Sequence, residues 1–514
     1  MNGSALLKTE KQKKGDQRNI GQRIAGARTS LNQYFMKRYT PLKTALLGAG
    51  IAGIIAFLEL FVFHILGVAD DGSLNSILKE TGLAYRAVDL KEPVGAYFVR
   101  HYLKVPVQPG GFSFHRLLVS FAVFLDGVFT NDNLFDIRFL GIVYLILFIP
   151  AAALLILEVV RRVPYPSEGL FLAILCVLGL SDASYITYFN SLYPEALWYI
   201  LLLYLFSGML MLQEHENNRQ IAGMLLMIIS AFFLSLTETH MAVVSLVVAV
   251  FMLILTSNSR LDKRLRSVAG LGFAFLTVFS LAAWNTGTNR FTIDSKMNAM
   301  TSGVLMESEN PKKSLTEFGI DQRFEVLTDT SEYTDFPVVL TGNEDIQKNF
   351  LSRYSTFDIA FYYLRHPRAL FSLISLASRP AFAVRRDYVG NYEQSAGLPE
   401  RARTPVLTAY SNLKSSIIPR TTGFLIILAV VYAVIEYRRK GTKEDMEAYH
   451  RRAAALYAFY LALAIGLFHI ITIGILSGSS EFERYCMIYG VSIDTMLLLS
   501  LTEILHRLRI FQTE

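Results

Sequence analysis

The chain has 514 residues, of which 52% are hydrophobic and 18% charged, and its mean hydropathy is +0.37. This composition excludes a water-soluble globular protein and indicates an all-α polytopic membrane protein. The formal net charge of +6 does not predict a nucleic-acid partner, because the basic residues gather beside apolar segments, where they orient a membrane protein. Cys176 and Cys486 lie in or beside separate apolar segments and predict neither a disulfide framework nor a metal-thiolate site.

Residues 1–43 are polar and basic and lack the apolar core of a signal peptide, so we expect a cytoplasmic tail. The first membrane span is predicted over residues 44 to about 68. A helix of that length, at about 1.5 Å per residue, crosses a hydrocarbon core of about 30 Å. The span is expected to end at the outer face, just before Asp70 and Asp71.

Later apolar runs bring the predicted total to about ten spans, an even number that returns the C-terminus to the cytoplasm. They begin near Phe139, Leu170, Ala196, Ile221, Met241, Val268, Thr422, Ala453 and Tyr485. Lys and Arg in the short loops gather on the side of the N-terminal tail, in agreement with the positive-inside rule. The predicted division is a tail 1–43, a transmembrane catalytic module 44–283 with a first outer loop 69–138, an extracytoplasmic segment 284–421, C-terminal spans 422–505 and a cytoplasmic tail 506–514.

Two predicted outer segments are too long to be turns. In the first, the apolar residues 112–129 are short for a span and are interrupted by Arg116 and Asp126, which favours a helix lying in the interface. The second, residues 284–421, is polar with helical patterns at 346–364 and 367–377, and we expect a small lid-like domain.

An aromatic stretch at 184–195 lies between two apolar runs and carries Tyr188, Asn190, Tyr193 and Glu195. So many polar and aromatic groups are not needed for a simple turn, and we interpret the stretch as one wall of an active site. The alternatives are an acid in the first turn of a helix for Glu195 and an ordinary interfacial aromatic belt for the tyrosines.

Other ionisable residues fall on the same predicted side of the membrane, which indicates a cavity with a function, because buried charges at membrane edges are costly. They are Asp70, Asp71, Glu238, His240, Arg379, Arg385, Arg386, Asp387, Glu481, Glu483 and Arg484. Simpler interpretations stand beside this one. Asp71 or Ser73 can cap a helix starting at Leu74, His240 can be a turn residue, and the Arg385–Arg386 pair can bind lipid headgroups.

No phosphate-binding glycine loop, His-Glu-x-x-His motif or nucleophile elbow is present in the sequence. A reaction at the outer face is also remote from cytoplasmic nucleotides. The substrate is therefore expected to arrive already activated, carried by the membrane itself.

Five segments carry a resemblance to a known family: 69–73, 135–141, 188–195, 388–393 and 483–485. In their order along the chain they resemble those of the GT-C glycosyltransferases, multi-spanning enzymes that use polyprenyl-phosphate sugars. Within that group the chain looks like the S-layer-glycan-type hexose transferases of Gram-positive bacteria.

The resemblance implies an inverting transfer at the extracytoplasmic face, with Asp70 or Asp71 as the base that takes the proton of the acceptor hydroxyl. The family commonly has Asp-Glu at this place, whereas this chain has Asp-Asp, so the identity of the base is left open. Arg385, Arg386 and Arg484 are expected to meet the charge of the departing phosphate. The residues expected to bind substrate are Tyr188, Asn190, Tyr193, Glu195, Glu238, His240, Asn391 and Tyr392.

The expected partners are a polyprenyl-phosphate sugar donor, an envelope glycan, polymer or lipid as acceptor, and membrane lipids. No cofactor is predicted. A carboxylate-rich site can hold a divalent cation, but the arginines neutralise phosphate without one. The alternatives are a glycan polymerase or ligase that uses a lipid-pyrophosphate donor and a non-enzymatic flippase of lipid-linked sugar. A flippase is expected to keep charges at mid-membrane depth.

Overall fold

A computed structural model of the chain describes residue 26 and residues 40–89, 95–108, 110–130, 132–214, 216–286, 293–330, 343–383, 391–438 and 446–507. Within these residues, eight helices are long and apolar enough to cross a membrane, and two bent helix pairs raise the number to ten if each pair is one span. The predicted all-α, multi-pass architecture is confirmed. The predicted tails lie mostly outside the described residues.

The first part of the chain builds most of the spans. Its elements are α1 (Pro41–Phe61), α2 (Leu74–Thr81), β1 (Leu83–Ala84), β2 (His101–Lys104), α3 (Phe114–Phe129), β3 (Leu134–Asp136), α4 (Arg138–Val160), α5 (Pro166–Leu180), α6 (Ala183–Ile186), a 3₁₀ turn (Thr187–Asn190), α7 (Glu195–Leu210), α8 (Asn217–Ser235), α9 (Ala242–Thr256) and α10 (Lys263–Thr286).

The second part begins with short helices and ends with the last spans. Its elements are α11 (Ile293–Asn298), a π-helical turn (Ala299–Leu305), α12 (Pro311–Glu317), α13 (Glu344–Asn349), α14 (Thr356–Arg365), α15 (Pro367–Ala383), α16 (Ala409–Ile417), α17 (Thr422–Arg438), α18 (Met446–Ser477), α19 (Phe482–Tyr485) and α20 (Met487–Arg507).

Helix α1 ends at Phe61, before the predicted end of the first span near residue 68. The side-chain amide of Asn190 donates hydrogen bonds to the carbonyl oxygen of Leu60 at 3.1 Å and of Leu66 at 2.9 Å. A helix end leaves its last carbonyl groups without partners in the helix, and Asn190 meets one of them. The chain therefore leaves the helix early while remaining buried at Val68 and Ala69.

The first predicted outer loop contains a small antiparallel sheet with the order β1-β2-β3, in which Leu83 pairs with Lys104 and His101 pairs with Asp136. The sequence did not predict this sheet, because strands of two to four residues are too short to show an alternating pattern. The predicted interfacial helix is α3, and the buried carboxylate of Asp126 forms an ion pair with the Lys104 ammonium at 2.6 Å.

Two predicted spans are bent. Helix α5 and the short helix that follows it, ending at Asn190, meet at 44°, and α16 meets α17 at 94°. For both segments the sequence predicted a simple span, beginning near Leu170 and near Thr422. The first bend brings the aromatic stretch back into the bundle.

The late polar segment is helical, as its sequence pattern predicts, but the pattern at 346–364 is divided. A new helix, α14, starts after a capping box, in which the Ser355 hydroxyl accepts from the Asp358 N–H at 3.3 Å and the Asp358 carboxylate accepts from the Ser355 N–H at 2.7 Å. Such reciprocal bonds satisfy the free N–H groups at the start of a helix.

Helices α7 and α8 approach each other through two glycines. A Cβ atom added to Gly208 would lie 2.6 Å from the carbonyl oxygen of Gly223, and one added to Gly223 would lie 2.5 Å from that of Gly208. Small residues allow helix backbones in a membrane to come this close. This contact leaves no room for a side chain.

We therefore expect Gly208→Val to lower the stability of the protein, measured as thermal unfolding in detergent, by about 1–3 kcal/mol, because a backbone carbonyl cannot move aside as a flexible side chain does. Gly50→Val is the matched control, since a Cβ atom at Gly50 in α1 meets nothing within 4 Å. Equal unfolding temperatures for the two variants would contradict the close packing of α7 on α8.

Candidate functional site

The carboxylate of Asp70 is held by backbone and side-chain donors. Its Oδ1 accepts from the N–H groups of Gly72 at 2.8 Å and Leu74 at 3.1 Å, and its Oδ2 accepts from the Tyr85 hydroxyl at 2.7 Å. Asp70 thus meets the first N–H of α2, whereas the side chain of Ser73 makes no capping bond there. The capping role predicted for Asp71 or Ser73 belongs instead to Asp70.

Tyr85 keeps its proton beside this carboxylate. Burial, the neighbouring Tyr102 and the Asp70 carboxylate together raise the pKa of Tyr85 far above its ordinary value. Its hydroxyl is therefore a hydrogen-bond donor at every physiological pH, and it fixes one oxygen of Asp70.

Asp70 and Tyr85 also form part of the wall of a cavity of about 450 Å³, which we call the Asp70 cavity. Arg86, Asp89 and Arg100 line the same cavity. A volume between roughly 300 and 1,000 Å³ is typical of small-molecule sites. Asp70 is thus within reach of a bound molecule.

Asp71 faces different surroundings, and its side chain is only 3% exposed. The Tyr193 hydroxyl accepts from the Asp71 N–H at 2.9 Å and donates to Asp71 Oδ1 at 2.6 Å, and the Ser73 hydroxyl donates to the same oxygen. The guanidinium of Arg484 lies 3.9 Å from Asp71 Oδ2. Asp71 is therefore a buried, paired carboxylate.

Arg484 comes from α19, just before the last span, and also contacts the Glu481 carboxylate at 3.4 Å. Burial lowers the pKa of Arg484, but Tyr485 and the carboxylates of Glu481 and Asp71 outweigh it and hold that pKa well above its ordinary value. The guanidinium stays charged, and the structure brings it together with Asp71.

Glu238 and His240 are buried next to this cluster. The His240 Nδ1 lies 3.4 Å from a Glu238 carboxylate oxygen, and the ring lies edge-on to Trp198 at 5.6 Å and to Tyr485 at 4.9 Å. Tyr485 is the neighbour of Arg484 in the chain, so the predicted pair borders the carboxylate cluster. Its role in substrate binding stays a prediction.

Within the aromatic stretch, the Tyr193 hydroxyl donates to both aspartates, to Asp70 Oδ1 at 3.4 Å and to Asp71 Oδ1 at 2.6 Å. Tyr188 and Glu195 are buried, and Glu195 opens α7, where an acid in the first turn is favourable. Asn190 uses its amide nitrogen to hold the end of α1. The substrate-binding roles predicted for these side chains remain predictions, and the geometry gives Asn190 a structural task in addition.

Asn391 and Tyr392 connect the late segment to the start of the site. The Asn391 carbonyl accepts from the Gly67 N–H at 3.1 Å, and the Tyr392 carbonyl accepts from the Phe98 N–H at 2.9 Å. The Tyr392 ring lies edge-on to His64 at 5.7 Å. These contacts place the late segment against the chain that leads to Asp70.

Two other predicted site residues, Arg385 and Arg386, lie outside the described residues. Among the residues that are described, no three His, Cys, Asp or Glu side chains are placed to hold one metal ion. The absence of a cofactor stays a prediction.

Sequence reasoning did not name Tyr85 or the ion pairs on the cavity wall as site residues. Arg86 grips Asp89 through two bonds of 2.9 and 2.8 Å. Arg100 contacts the Asp136 carboxylate at 2.8 Å. Among these residues, the sequence indicated a functional position only for Asp136, because it lies in one of the segments that carry the family resemblance.

Asp136 also illustrates how the wall is fixed. Burial raises the pKa of Asp136, but hydrogen bonds from Arg138 and Arg100 outweigh that effect and lower the pKa to about 2. The carboxylate is therefore ionised at neutral pH and keeps Arg100 in place at the edge of the cavity.

A second charged cluster joins the late segment to the last candidate span, and the sequence analysis did not name it. The Lys414 ammonium is fully buried and lies 2.5 Å from the Asp494 carboxylate, which also accepts the Tyr185 hydroxyl. Asp494 belongs to the candidate span Met487–Leu505, about 10 Å along that helix from its start. A charged pair therefore reaches into a candidate span, in addition to the ionisable residues predicted at the outer edge.

We expect Arg484→Gln to destabilise the protein by about 3–5 kcal/mol, because it leaves the buried carboxylates of Asp71 and Glu481 without their cation. Arg368→Gln is the matched control, since the Arg368 pair with Glu309 is almost fully exposed and such pairs contribute little. Thermal unfolding in detergent measures both. An Arg484→Gln protein as stable as wild type would show that the cation is not needed there.

Comparison with known proteins places the chain in a family. The model of the family described as the YfdI N-terminal transmembrane domain matches residues 30–514. No curated protein matches the chain. Among solved structures, the archaeal oligosaccharyltransferase AglB from Archaeoglobus fulgidus, in complex with an inhibitory peptide and a dolichol-phosphate, is similar at 10% identity and a TM-score of 0.41.

The match with AglB covers 93% of this chain and 51% of AglB, so the chain spans about half the length of that protein. The family match extends from the residues before the first span to the last residue of the chain. The chain therefore belongs to the YfdI N-terminal transmembrane domain family.

Proposed function

We propose that this protein is a GT-C-like membrane glycosyltransferase that moves a hexose from a polyprenyl-phosphate donor to an envelope glycan, polymer or lipid, with inversion at the anomeric carbon. The observation that carries the proposal is the position of Asp70. A carboxylate held by Tyr85 lines a cavity of about 450 Å³. The sidedness is part of the proposal, with both termini cytoplasmic and the Asp70 cavity extracytoplasmic.

Asp70 is the base in this proposal. A general base must reach the acceptor hydroxyl, and Asp70 lines the cavity, whereas the Asp71 side chain is 3% exposed and contacts Tyr193, Ser73 and Arg484. In the reaction the acceptor oxygen forms a bond to the anomeric carbon as its proton passes to Asp70. The bond from that carbon to the phosphate oxygen breaks, and polyprenyl phosphate leaves.

The departing phosphate needs positive charge near it. Arg484 is one candidate, although it already contacts Asp71 and Glu481 and so brings little net charge of its own. Arg385 and Arg386 are the other candidates, carried over from the sequence prediction. An S-layer-glycan-type hexose transferase is the specific form of this activity that the sequence resemblance favours.

We expect Asp70→Asn to lower the turnover number for sugar transfer by about 10²–10⁴-fold, the usual contribution of a general base, while donor binding is kept. Asn still accepts the N–H groups of Gly72 and Leu74 through its side-chain oxygen, so stability should change little. The assay supplies vesicles containing purified protein with radiolabelled glucose, galactose or mannose on a short polyprenyl phosphate and an envelope-fraction acceptor.

Asp345→Asn is the matched control, because Asp345 forms an exposed pair with Arg323 in the late segment. It should transfer sugar at the wild-type rate. Asp71→Asn is expected to lower thermal stability, since Asp71 is buried among partners. Loss of turnover in Asp71→Asn at unchanged stability, with Asp70→Asn still active, would overturn the choice of base. A donor requirement for lipid pyrophosphate would favour the polymerase or ligase alternative.

Two observations favour a second function, the transport of lipid-linked sugar between leaflets. Asp494, which pairs with Lys414, lies within the last candidate span, and two helix pairs are bent. Broken helices and charges at such depth are typical of transporters. If this function is correct, wild type moves a fluorescent polyprenyl-phosphate sugar across vesicles without transferring the sugar, and Lys414→Met abolishes the movement. Sugar transfer by wild type without such movement excludes it.

A further inference from the structure

We infer that the Asp70 cavity is the acceptor subsite and that it takes an uncharged saccharide. This inference rests on the proposed function, because it assigns the cavity to the substrate whose hydroxyl loses its proton. The inference also names the chemical class of the acceptor, which follows from the residues that line the cavity.

The aromatic side of the wall suits a sugar ring. Tyr85, Tyr97 and Phe98 line the cavity together with Val88. Aromatic rings offer a rigid apolar face that is ordered at small entropic cost, and tyrosine adds a hydrogen-bonding hydroxyl. The apolar face of a sugar ring packs on such a surface while its hydroxyl groups point to polar neighbours.

The two arginines of the wall are already paired with carboxylates. The Arg86 guanidinium is bound bidentately by Asp89. The Nε and Nη2 groups of Arg100 both donate to Oδ2 of Asp136, a carboxylate that Arg138 shares, so each arginine of the wall already has a carboxylate partner. Burial lowers the pKa of His101; the Asp136 carboxylate opposes this effect, and the Arg100 and Arg86 cations add to it. His101 therefore lines the cavity as a neutral ring at neutral pH.

Carboxylates outnumber arginines among the described residues of the wall, where Asp70, Asp89 and Glu393 face two arginines. A phosphate-bearing polymer would meet net repulsion there, because like charges disfavour one another in a partly buried site. An uncharged sugar does not. The described wall therefore selects against an anionic polymer and for a neutral glycan.

One carboxylate oxygen of Glu393 accepts no hydrogen bond from the described residues. The Ser395 hydroxyl donates to its Oε2 at 2.9 Å, whereas its Oε1 is buried without a hydrogen-bond partner among the described residues. A buried carboxylate oxygen in that condition is costly unless a ligand donates to it. A sugar hydroxyl is such a donor, and a second hydroxyl of the same sugar chain can reach Asp70.

The test measures binding of saccharides by the full-length protein in nanodiscs, without any donor. The probes are an array of uncharged oligosaccharides and the same structures carrying phosphate. Val88→Trp places a large ring in the cavity from a position that is 51% exposed, so folding is not at risk. Glu393→Gln removes the charge of the free acceptor. The controls are Val326→Trp, which is 65% exposed, and Glu309→Gln, which is 82% exposed.

We expect wild type and both controls to bind uncharged oligosaccharides, and Val88→Trp and Glu393→Gln each to bind them roughly tenfold more weakly. Preference for the phosphate-bearing probes, unchanged binding by Val88→Trp, or no binding of any uncharged probe by wild type would each overturn the inference. Binding with this pattern but no sugar transfer from any donor leaves a site for uncharged saccharide in the cavity but removes the proposed enzymatic function and the acceptor role with it, so the two failures are distinguishable.

Discussion

The two hydrogen bonds that the Asn190 side chain donates to the end of α1 fix the geometry on which the candidate site depends. They meet the carbonyl groups of Leu60 and Leu66 in apolar surroundings, where an unpaired backbone group is costly. Gly141 makes the approach possible, since a Cβ atom there would lie 2.2 Å from the Asn190 side-chain oxygen. Because α1 stops at Phe61, the following residues run along the bundle and bring the acidic motif to it.

The two aspartates of that motif have different environments although they are neighbours. In non-helical backbone, successive side chains point to different sides. Asp70 lies at the cavity with Tyr85, and Asp71 lies in the interior with Tyr193 and Arg484. One carboxylate is thereby available to a ligand while the other holds the elements together, and a single dipeptide serves both the chemistry and the packing.

Two groups of buried charged residues are described, and the free-energy cost of burying charge differs between them. At the predicted outer side, Asp71, Glu481 and Arg484 compensate one another at the ends of helices. At the last candidate span, Lys414 and Asp494 form a close pair that joins the short arm of a bent helix pair to that span. Either charge alone would be very unfavourable there, so each residue requires the other.

The sequence by itself determined the class of protein, the approximate spans and the helical late segment, because hydropathy and helical periodicity are local properties. Only the tertiary structure decided which aspartate meets the cavity, because the partner of Asp71 is Tyr193, 122 residues away. It alone also revealed the short sheet, the Lys414–Asp494 pair and the bends. Contacts between distant residues leave no periodic pattern in the chain, since they arise when separate helices pack and their buried polar groups find partners.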